Sequence, residues 1–168
     1  MEIGLPGYEL PLEQTLLGNL GIELGELGKD RCEGSMPIDR RTQQPAGVAH
    51  GGALISLAET LASIGTALNI DLATHYCVGQ EINASLLRPA RAGDTVKGVA
   101  TILHRGRTTM VWDVRLANGD GKLVAVCRCT IATRPRFEGN APDAVRQRSA
   151  AGAPPRAAGS RPHRSHGD

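Results

Sequence analysis

A long and almost uncharged segment constrains the fold of this chain more than any other feature. Residues 42–70 carry one formally charged side chain, Glu59. Large aliphatic side chains recur there at the three- and four-residue spacing of one helix face, at Leu54, Leu57, Leu61, Ile64 and Leu68. The pattern predicts an amphipathic helix over 52–69 that packs its leucine side onto a sheet.

The other side of this predicted helix is unusual as well. Glu59 lies nearly opposite the leucines, and its helical neighbours Ile55, Ser56, Ala62 and Ser63 are apolar or small. An exposed helix face normally carries several charged residues, so we expect this face to be covered too, by the sheet and by a second subunit. A carboxylate there has no cation on its own helix. Two purely structural alternatives are that Glu59 is exposed or that it pairs with a cation from another element.

The remaining pattern is that of strands. Alternating or continuous apolar runs predict strands over about 31–36, 78–87, 95–103, 108–116 and 122–133, and the last three form an antiparallel meander. A short helix is predicted over 12–19. In the strand 78–87, Val78, Ile82, Ala84 and Leu86 are expected to share one face. The fold class is therefore α+β, with the order β-α-β-β-β-β after the short helix.

The domain boundary follows from a shift in composition. Residues 1–137 predict one folded domain, whereas 138–168 hold Val145 as their large aliphatic residue, among prolines, glycines and five arginines. Such a segment buries too little apolar surface to offset chain entropy, so a disordered tail is expected there.

Composition excludes several functions. The chain has four aromatic residues and a net charge of +2, which disfavours nucleic-acid binding. It has neither a membrane-length apolar run nor a signal-like N-terminus, so a cytoplasmic protein that does not enter a membrane is expected. The four cysteines lack zinc-site spacing, and Cys127 and Cys129 point to one face of a strand. Buried thiols and no metal site are the expectation.

The start of the helix offers hydrogen-bond donors. His50-Gly51-Gly52 directly precedes the periodic stretch, so backbone N–H groups without covering side chains stand at the positive end of the helix dipole. Such a site can stabilise an oxyanion. The purely structural alternative is that the glycine pair only forms the turn that enters the helix. Glu59 lies about 10 Å further along the helix axis, too far to act on the same atom. Two antiparallel copies in a symmetric dimer would bring the two features together.

These residues resemble a known family. The run from Arg41 to Glu59, RTQQPAGVAHGGALISLAE, followed by GQEINA from Gly79, is similar to hotdog-fold acyl-CoA thioesterases. The branch is that of PaaI and the Arthrobacter-type 4-hydroxybenzoyl-CoA thioesterase, near the 1,4-dihydroxy-2-naphthoyl-CoA hydrolases. The resemblance implies a hotdog fold, with a long antiparallel sheet wrapped around one central helix. It also implies homodimers that share active sites and associate as a dimer of dimers, a homotetramer.

The resemblance also assigns roles. Glu59 is the catalytic carboxylate, and the Gly51 N–H polarises the thioester carbonyl. Gln44 and His50 orient the acyl carbonyl and its loop, and Ser63 positions water or the carboxylate. No cofactor is expected, since coenzyme A is part of the substrate.

Coenzyme A is polyanionic and calls for cations at the mouth of the site. Arg88 and Arg91 follow the first strand after the helix, and Gly106, Arg107 and Thr108 form a basic turn in a region where the family places phosphate contacts. The alternative without a binding role is that these five residues are solvated loop residues.

The sequence thus predicts an acyl-CoA thioesterase that hydrolyses an aryl- or medium-sized acyl-CoA to the free acid and CoA. One alternative is a non-catalytic protein of the same fold that binds acyl-CoA or acyl carrier. A weaker one is a hydratase that would use Asp71 and His75, although a solvated loop is the better interpretation of those two residues.

Overall fold

Residues 4–136 are described by a computed structural model of the protein. Its helices and strands follow the predicted order closely. A 3₁₀ turn over Leu12–Gln14 precedes the helices α1 (Leu16–Leu20) and α2 (Gly51–Ala67), and the strands are β1 (Glu23–Leu27), β2 (Arg31–Pro37), β3 (His75–Leu86), β4 (Thr95–Arg105), β5 (Thr109–Ala117) and β6 (Leu123–Pro135). The predicted tail over 138–168 lies outside the described residues.

These strands form one antiparallel sheet in the order β1-β2-β4-β5-β6-β3. The predicted β4-β5-β6 meander is confirmed, and β3 lies beside β6 at the edge of the sheet. The α+β hotdog prediction is confirmed by this long sheet and its single long helix, α2.

Helix α2 packs against one face of the sheet, where glycines allow a close approach. A Cβ atom on Gly98 would come within 2.9 Å of Leu61 and 3.0 Å of Leu116, and one on Gly34 would come within 3.0 Å of Leu61. On the helix itself, Gly65 faces the ring of the fully buried Trp112. The leucine side predicted from the sequence is therefore the side that forms the core.

The second side of α2 is half-buried within this one chain. After Gly52, every residue of the helix is buried or half-buried, and Ile55, Ser56, Glu59 and Ser63 belong to the half-buried group. The expectation of a covered helix is confirmed for the leucine side and met in part for the Glu59 side.

Three details differ from the predictions. Strand β1 was not predicted, because its sequence ELGEL holds two glutamates and a glycine and gives no clear alternation. The segment 12–19 is a 3₁₀ turn followed by α1 instead of one helix. The register between β3 and β6 shifts between Gly79 and Glu81, so Gln80 forms a bulge. Because of this bulge, Val78 points away from the face that carries Ile82, and 47% of its surface is exposed.

The prediction of buried thiols is confirmed for three of the four cysteines. All four cysteines are free thiols; Cys32, Cys127 and Cys129 are buried and Cys77 is half-buried. Within residues 4–136, no cluster of three or more His, Cys, Asp or Glu side chains is arranged to hold a metal ion. No helix in the same range is long and apolar enough to cross a membrane.

Candidate active site

His50 caps the amino end of α2. Its backbone is extended and its Nδ1 accepts a hydrogen bond from the Gly52 N–H at 2.9 Å, while its carbonyl oxygen accepts from Ala53 and Leu54. The Gly51 N–H donates to no acceptor among residues 4–136. His50 therefore accepts the hydrogen bond of the Gly52 N–H. The Gly51 N–H remains available as a donor at the positive end of the helix dipole.

A cleft of about 250 Å³ lies beside this helix end. Gln44, Leu54 and Leu86 are among its lining residues, and the Gln44 side-chain amide donates to the Ala49 carbonyl at 3.2 Å. A Cβ atom on Gly51 would come within 2.6 Å of the Leu86 Cδ1, the end of a flexible side chain that is 53% exposed, so Leu86 packs directly against Gly51. The structure thus brings Gln44, His50 and Gly51 together, as predicted.

Glu59 occupies the middle of the same helix, between α2 and the edge strand β3. Its Oε1 accepts a hydrogen bond from the Ser63 hydroxyl at 2.6 Å. A Cβ atom on Gly79 would lie 3.3 Å from this oxygen, so glycine keeps the space next to the carboxylate free. In the described part of the chain, Glu59 forms no ion pair.

Two residues that the sequence did not single out continue this polar cluster. The Cys77 thiol donates to the Ser63 carbonyl at 3.6 Å, and the Tyr8 hydroxyl lies 3.5 Å from the Cys77 sulfur. Cys77 lies two residues before Gly79 and faces the helix, as the register with β6 requires. Its position could have been found from strand periodicity, whereas nothing in the local sequence around Tyr8 indicates a long-range contact.

Comparisons with known proteins place the chain in a family. The family model described as "Thioesterase superfamily" matches residues 46–125. The crystal structure of a mutant of thioesterase PA1618 from Pseudomonas aeruginosa is 42% identical and superposes with a TM-score of 0.72, covering 74% of this chain and 89% of that one. The 1,4-dihydroxy-2-naphthoyl-CoA hydrolase of Escherichia coli is 39% identical over 120 residues, which are 71% of this chain and 87% of that protein. This chain belongs to the thioesterase superfamily.

A third similar protein adds information on two residues. Thioesterase SAV0944 from Staphylococcus aureus is 36% identical, with a TM-score of 0.69 and coverage of 71% of this chain and 98% of that one. Two of its crystal structures contain single substitutions to alanine, of a glutamine in one and of a glutamate in the other, and the two residues are fifteen positions apart.

In this thioesterase the predicted oxyanion donor, the Gly51 N–H, and the predicted catalytic carboxylate of Glu59 are far apart within one chain. Glu59 follows Gly51 by eight residues on a continuous helix, which corresponds to about 12 Å along the axis. One thioester carbonyl cannot contact both groups of the same α2.

The predicted CoA-binding residues of the thioesterase form two groups at opposite ends of β6. Arg88 donates to the Leu123 carbonyl at 2.9 Å, at the start of that strand. The Arg107 carbonyl accepts from the Thr133 hydroxyl at 2.8 Å, near its end. Ten residues of extended chain separate these contacts by about 33 Å. Within a single chain the two groups therefore lie at opposite ends of a long strand.

The first of these groups adjoins a second cleft, of about 350 Å³. Arg88 belongs to both clefts, and Arg91 and Lys122 line the second one together with Asp94 and Asp120. Lys122 pairs with Asp120 at 3.6 Å, whereas Arg91 forms no ion pair in the described residues. At the other end of β6, the Gly106 N–H bonds to the Thr109 carbonyl, and the side chains of Arg107 and Thr108 are exposed.

Asp71 and His75, the residues of the hydratase alternative, lie in the connection between α2 and β3. The Asp71 carboxylate accepts from the Ala73 N–H at 2.9 Å and from the Thr74 hydroxyl at 3.0 Å, and His75 Nδ1 lies 2.9 Å from the same hydroxyl. These bonds stabilise a turn, which agrees with the interpretation of this segment as a loop.

Proposed function

We propose that this thioesterase hydrolyses the thioester of an aryl- or medium-sized acyl-CoA, with Glu59 as the catalytic carboxylate and the Gly51 N–H as the oxyanion donor. The observation that carries the proposal is the state of Glu59. Its side chain is half-buried and forms no ion pair in the described residues. The carboxylate accepts a hydrogen bond from Ser63 and lies next to Gly79, which has no side chain to cover it. A carboxylate without a cation in a packed layer is costly, which favours a chemical role.

The chemistry requires few groups. Attack on the thioester carbonyl places negative charge on its oxygen, and a preorganised N–H donor at that point is worth roughly 3–4 kcal/mol. Glu59 either attacks the carbonyl carbon itself or takes a proton from an attacking water that Ser63 positions. In the first case a mixed anhydride forms as the C–S bond breaks, and water then releases the free acid and regenerates the carboxylate. CoA leaves as a stable thiolate in both cases, so the reaction proceeds without a cofactor.

A two-fold axis would assemble the site from two chains. β3 is an edge strand, with Gly79 next to Glu59 and Leu86 next to Gly51. If β3 pairs with its symmetric copy in antiparallel register centred on Asn83, Gly79 comes opposite Leu86 of the partner subunit. The bulge at Gln80 keeps both residues on the helix side of the sheet. Glu59 would then face the Gly51 N–H of the partner subunit across the interface.

The same axis explains the separation of the CoA-binding groups. Asn83 pairs with Arg128, which lies midway between Leu123 and Thr133 on β6. Rotation about Asn83 therefore brings the Arg88 end of one chain to the Arg107 end of the other. We propose that one CoA is held by Arg88 and Arg91 of one subunit and by Gly106, Arg107 and Thr108 of its partner. A dimer of such dimers remains the expected assembly.

The relatives support this assignment. The glutamine and the glutamate replaced in SAV0944 have the same separation as Gln44 and Glu59, which fits a role for both in that site. The name of the Escherichia coli hydrolase indicates an aromatic acyl group for that enzyme. We therefore favour an aryl acyl group for this chain as well.

The deciding experiment is the substitution Glu59→Gln. We expect it to retain CoA-thioester binding while lowering the turnover number at least ~10²-fold, because the amide is neither a base nor a competent nucleophile. Release of free thiol from a panel of acyl-CoAs measures the turnover, and calorimetry measures the binding. Glu26→Gln, on the exposed strand β1, is the matched control and should behave as the parent chain does.

The outcomes separate the two functions. Equal turnover for the parent and Glu59→Gln would refute the proposed mechanism. Tight binding of acyl-CoA without turnover by the parent chain would favour the non-catalytic binding protein.

A further inference from the structure

The polar cluster at Glu59 continues away from the helix end toward the amino-terminal segment. Ser63 donates its hydroxyl to Glu59, its carbonyl accepts from the Cys77 thiol, and the Cys77 sulfur lies 3.5 Å from the Tyr8 hydroxyl. The mechanism proposed above uses Glu59 and Ser63 and leaves Cys77 and Tyr8 without a role. Both are half-buried and lie in the layer between α2 and β3.

Tyr8 is held in this layer by its neighbours. Its backbone N–H closes a turn with the Leu5 carbonyl at 3.0 Å, and a Cβ atom on Gly7 would come within 3.3 Å of the Arg136 guanidinium. Arg136 is fixed in turn, since its Nε donates to the carbonyls of Leu72 and His75. The segment that carries Tyr8 is thus held by a turn and lies against Arg136.

The hydrogen bonding of the Tyr8 hydroxyl is weak. Because the Cys77 thiol donates to Ser63, its sulfur is left as the acceptor for the Tyr8 O–H, and sulfur is a poor acceptor. Nearby, the Arg136 Nη1 is buried and finds no acceptor among residues 4–136. The Tyr8 hydroxyl and the free N–H groups of the Arg136 guanidinium would both form stronger hydrogen bonds to an oxygen atom of a ligand.

We infer that Tyr8 is a specificity-determining residue that donates a hydrogen bond to an oxygen substituent on the acyl group, at the end remote from the thioester. The inference rests on the proposed function and names its substrate more closely, as an acyl group that carries a hydroxyl or similar oxygen. Arg136 gives this position one cation, but the Glu59 carboxylate offsets it, and the proposed site assigns the phosphates of CoA to the exposed Arg88, Arg91 and Arg107.

The protonation of Tyr8 is consistent with this role. Burial raises the pKa of the Tyr8 phenol above its usual range, and the neighbouring Cys77 and Glu59 raise it further, against a smaller lowering by Arg136. The phenol therefore keeps its proton throughout the pH range of an assay and acts as a donor.

The test uses benzoyl-CoA and its 3-hydroxy and 4-hydroxy derivatives with the full chain. In Tyr8→Phe, we expect kcat/KM for at least one hydroxylated substrate to fall roughly tenfold, while that for benzoyl-CoA stays within about twofold. Tyr76→Phe is the control for loss of a phenol hydroxyl on the opposite face of β3, since it keeps the ring whose centroid lies 6.0 Å from the Arg136 guanidinium. An equal loss on all three substrates would mean that Tyr8 only anchors the amino-terminal segment, and no loss would remove it from the site; either result overturns the inference.

A second measurement separates this inference from the proposed hydrolysis. Dissociation constants for the same three thioesters are measured by calorimetry in the Glu59→Gln variant, with and without Tyr8→Phe. A roughly tenfold loss of affinity confined to a hydroxylated compound supports the role of Tyr8 even if the parent chain hydrolyses none of them. An unchanged ratio of dissociation constants overturns the role of Tyr8 even if hydrolysis is confirmed.

Discussion

At the scale of single residues, the site depends on one short hydrogen bond. Ser63 follows Glu59 by four positions, so the two side chains lie on the same side of α2, and the hydroxyl donates to the carboxylate at 2.6 Å. This pair was predictable from helical spacing. The role of Gly79 in leaving Glu59 accessible depends on the register of a strand twenty residues away in sequence, which local spacing does not reveal.

Removal of this bond should affect catalysis more than binding. In Ser63→Ala, Glu59 loses a charge-assisted hydrogen bond worth about 1.5–3 kcal/mol, and the carboxylate is no longer held in one orientation. We expect kcat to fall at least about tenfold with KM nearly unchanged, in steady-state assays of thiol release. Ser56→Ala, whose hydroxyl bonds to the Gly52 carbonyl one turn earlier, is the matched control. An unchanged kcat in Ser63→Ala would show that Glu59 does not need this donor.

At the scale of elements, the packing of α2 on the sheet positions the site. The helix approaches β2 and β4 at glycines, and it meets β5 where Gly65 faces Trp112, whose indole N–H donates to the Thr66 hydroxyl at 2.9 Å. The leucine pattern predicted which side of α2 is buried. It did not predict how closely the helix approaches, because that distance depends on which strand residues lie opposite the helix.

A methyl group at the closest contact tests this packing. In Gly65→Ala the new Cβ would lie 2.5 Å from the buried Trp112 ring, and such overpacking costs about 1–3 kcal/mol. This cost exceeds the gain of about 1 kcal/mol that alanine brings to a helix interior. We therefore expect a lower free energy of unfolding in urea, whereas Ser56→Ala on the half-buried side should change it by less than about 0.5 kcal/mol. A Gly65→Ala protein as stable as the parent would mean that the helix can move away from β5.

At the scale of the whole molecule, one chain carries both parts of the proposed site, but they lie far apart. Gly51 and Glu59 lie about 12 Å from each other along α2, and the two groups of cationic residues lie at opposite ends of β6. From the spacing along the helix, the sequence predicted that two antiparallel copies could bring Gly51 and Glu59 together. The bulge at Gln80 supplies the register, because without it Gly79 and Leu86 would point to opposite faces of β3.

The proposed register can be tested by cross-linking. With the axis at Asn83, the two copies of this residue lie directly opposite each other at a Cα separation of about 4.5–5.5 Å, which suits a disulfide. Asn83→Cys should therefore form a covalent dimer on mild oxidation, visible by non-reducing electrophoresis. Ser85→Cys, on the same face of β3, places its two thiols about 13 Å apart along the strands and should stay uncross-linked. Efficient cross-linking through Ser85→Cys instead would shift the register and separate Glu59 from Gly51 of the partner subunit.

The family resemblance pointed to Gln44, His50 and Ser63 as candidate site residues. The central helix, its buried side, the order of the long strands and the candidates Gly51 and Glu59 could be predicted from the residues themselves. These features depend on local periodicity, on capping and on the rarity of charge in one segment, which are properties of neighbouring residues. Three features became visible only in the folded chain: Gly79 lies next to the Glu59 carboxylate, the Tyr8 hydroxyl reaches Cys77, and a bulge turns Val78 outward. Contacts between distant residues depend on strand register and on the packing of elements, and no local pattern in the chain encodes either of them.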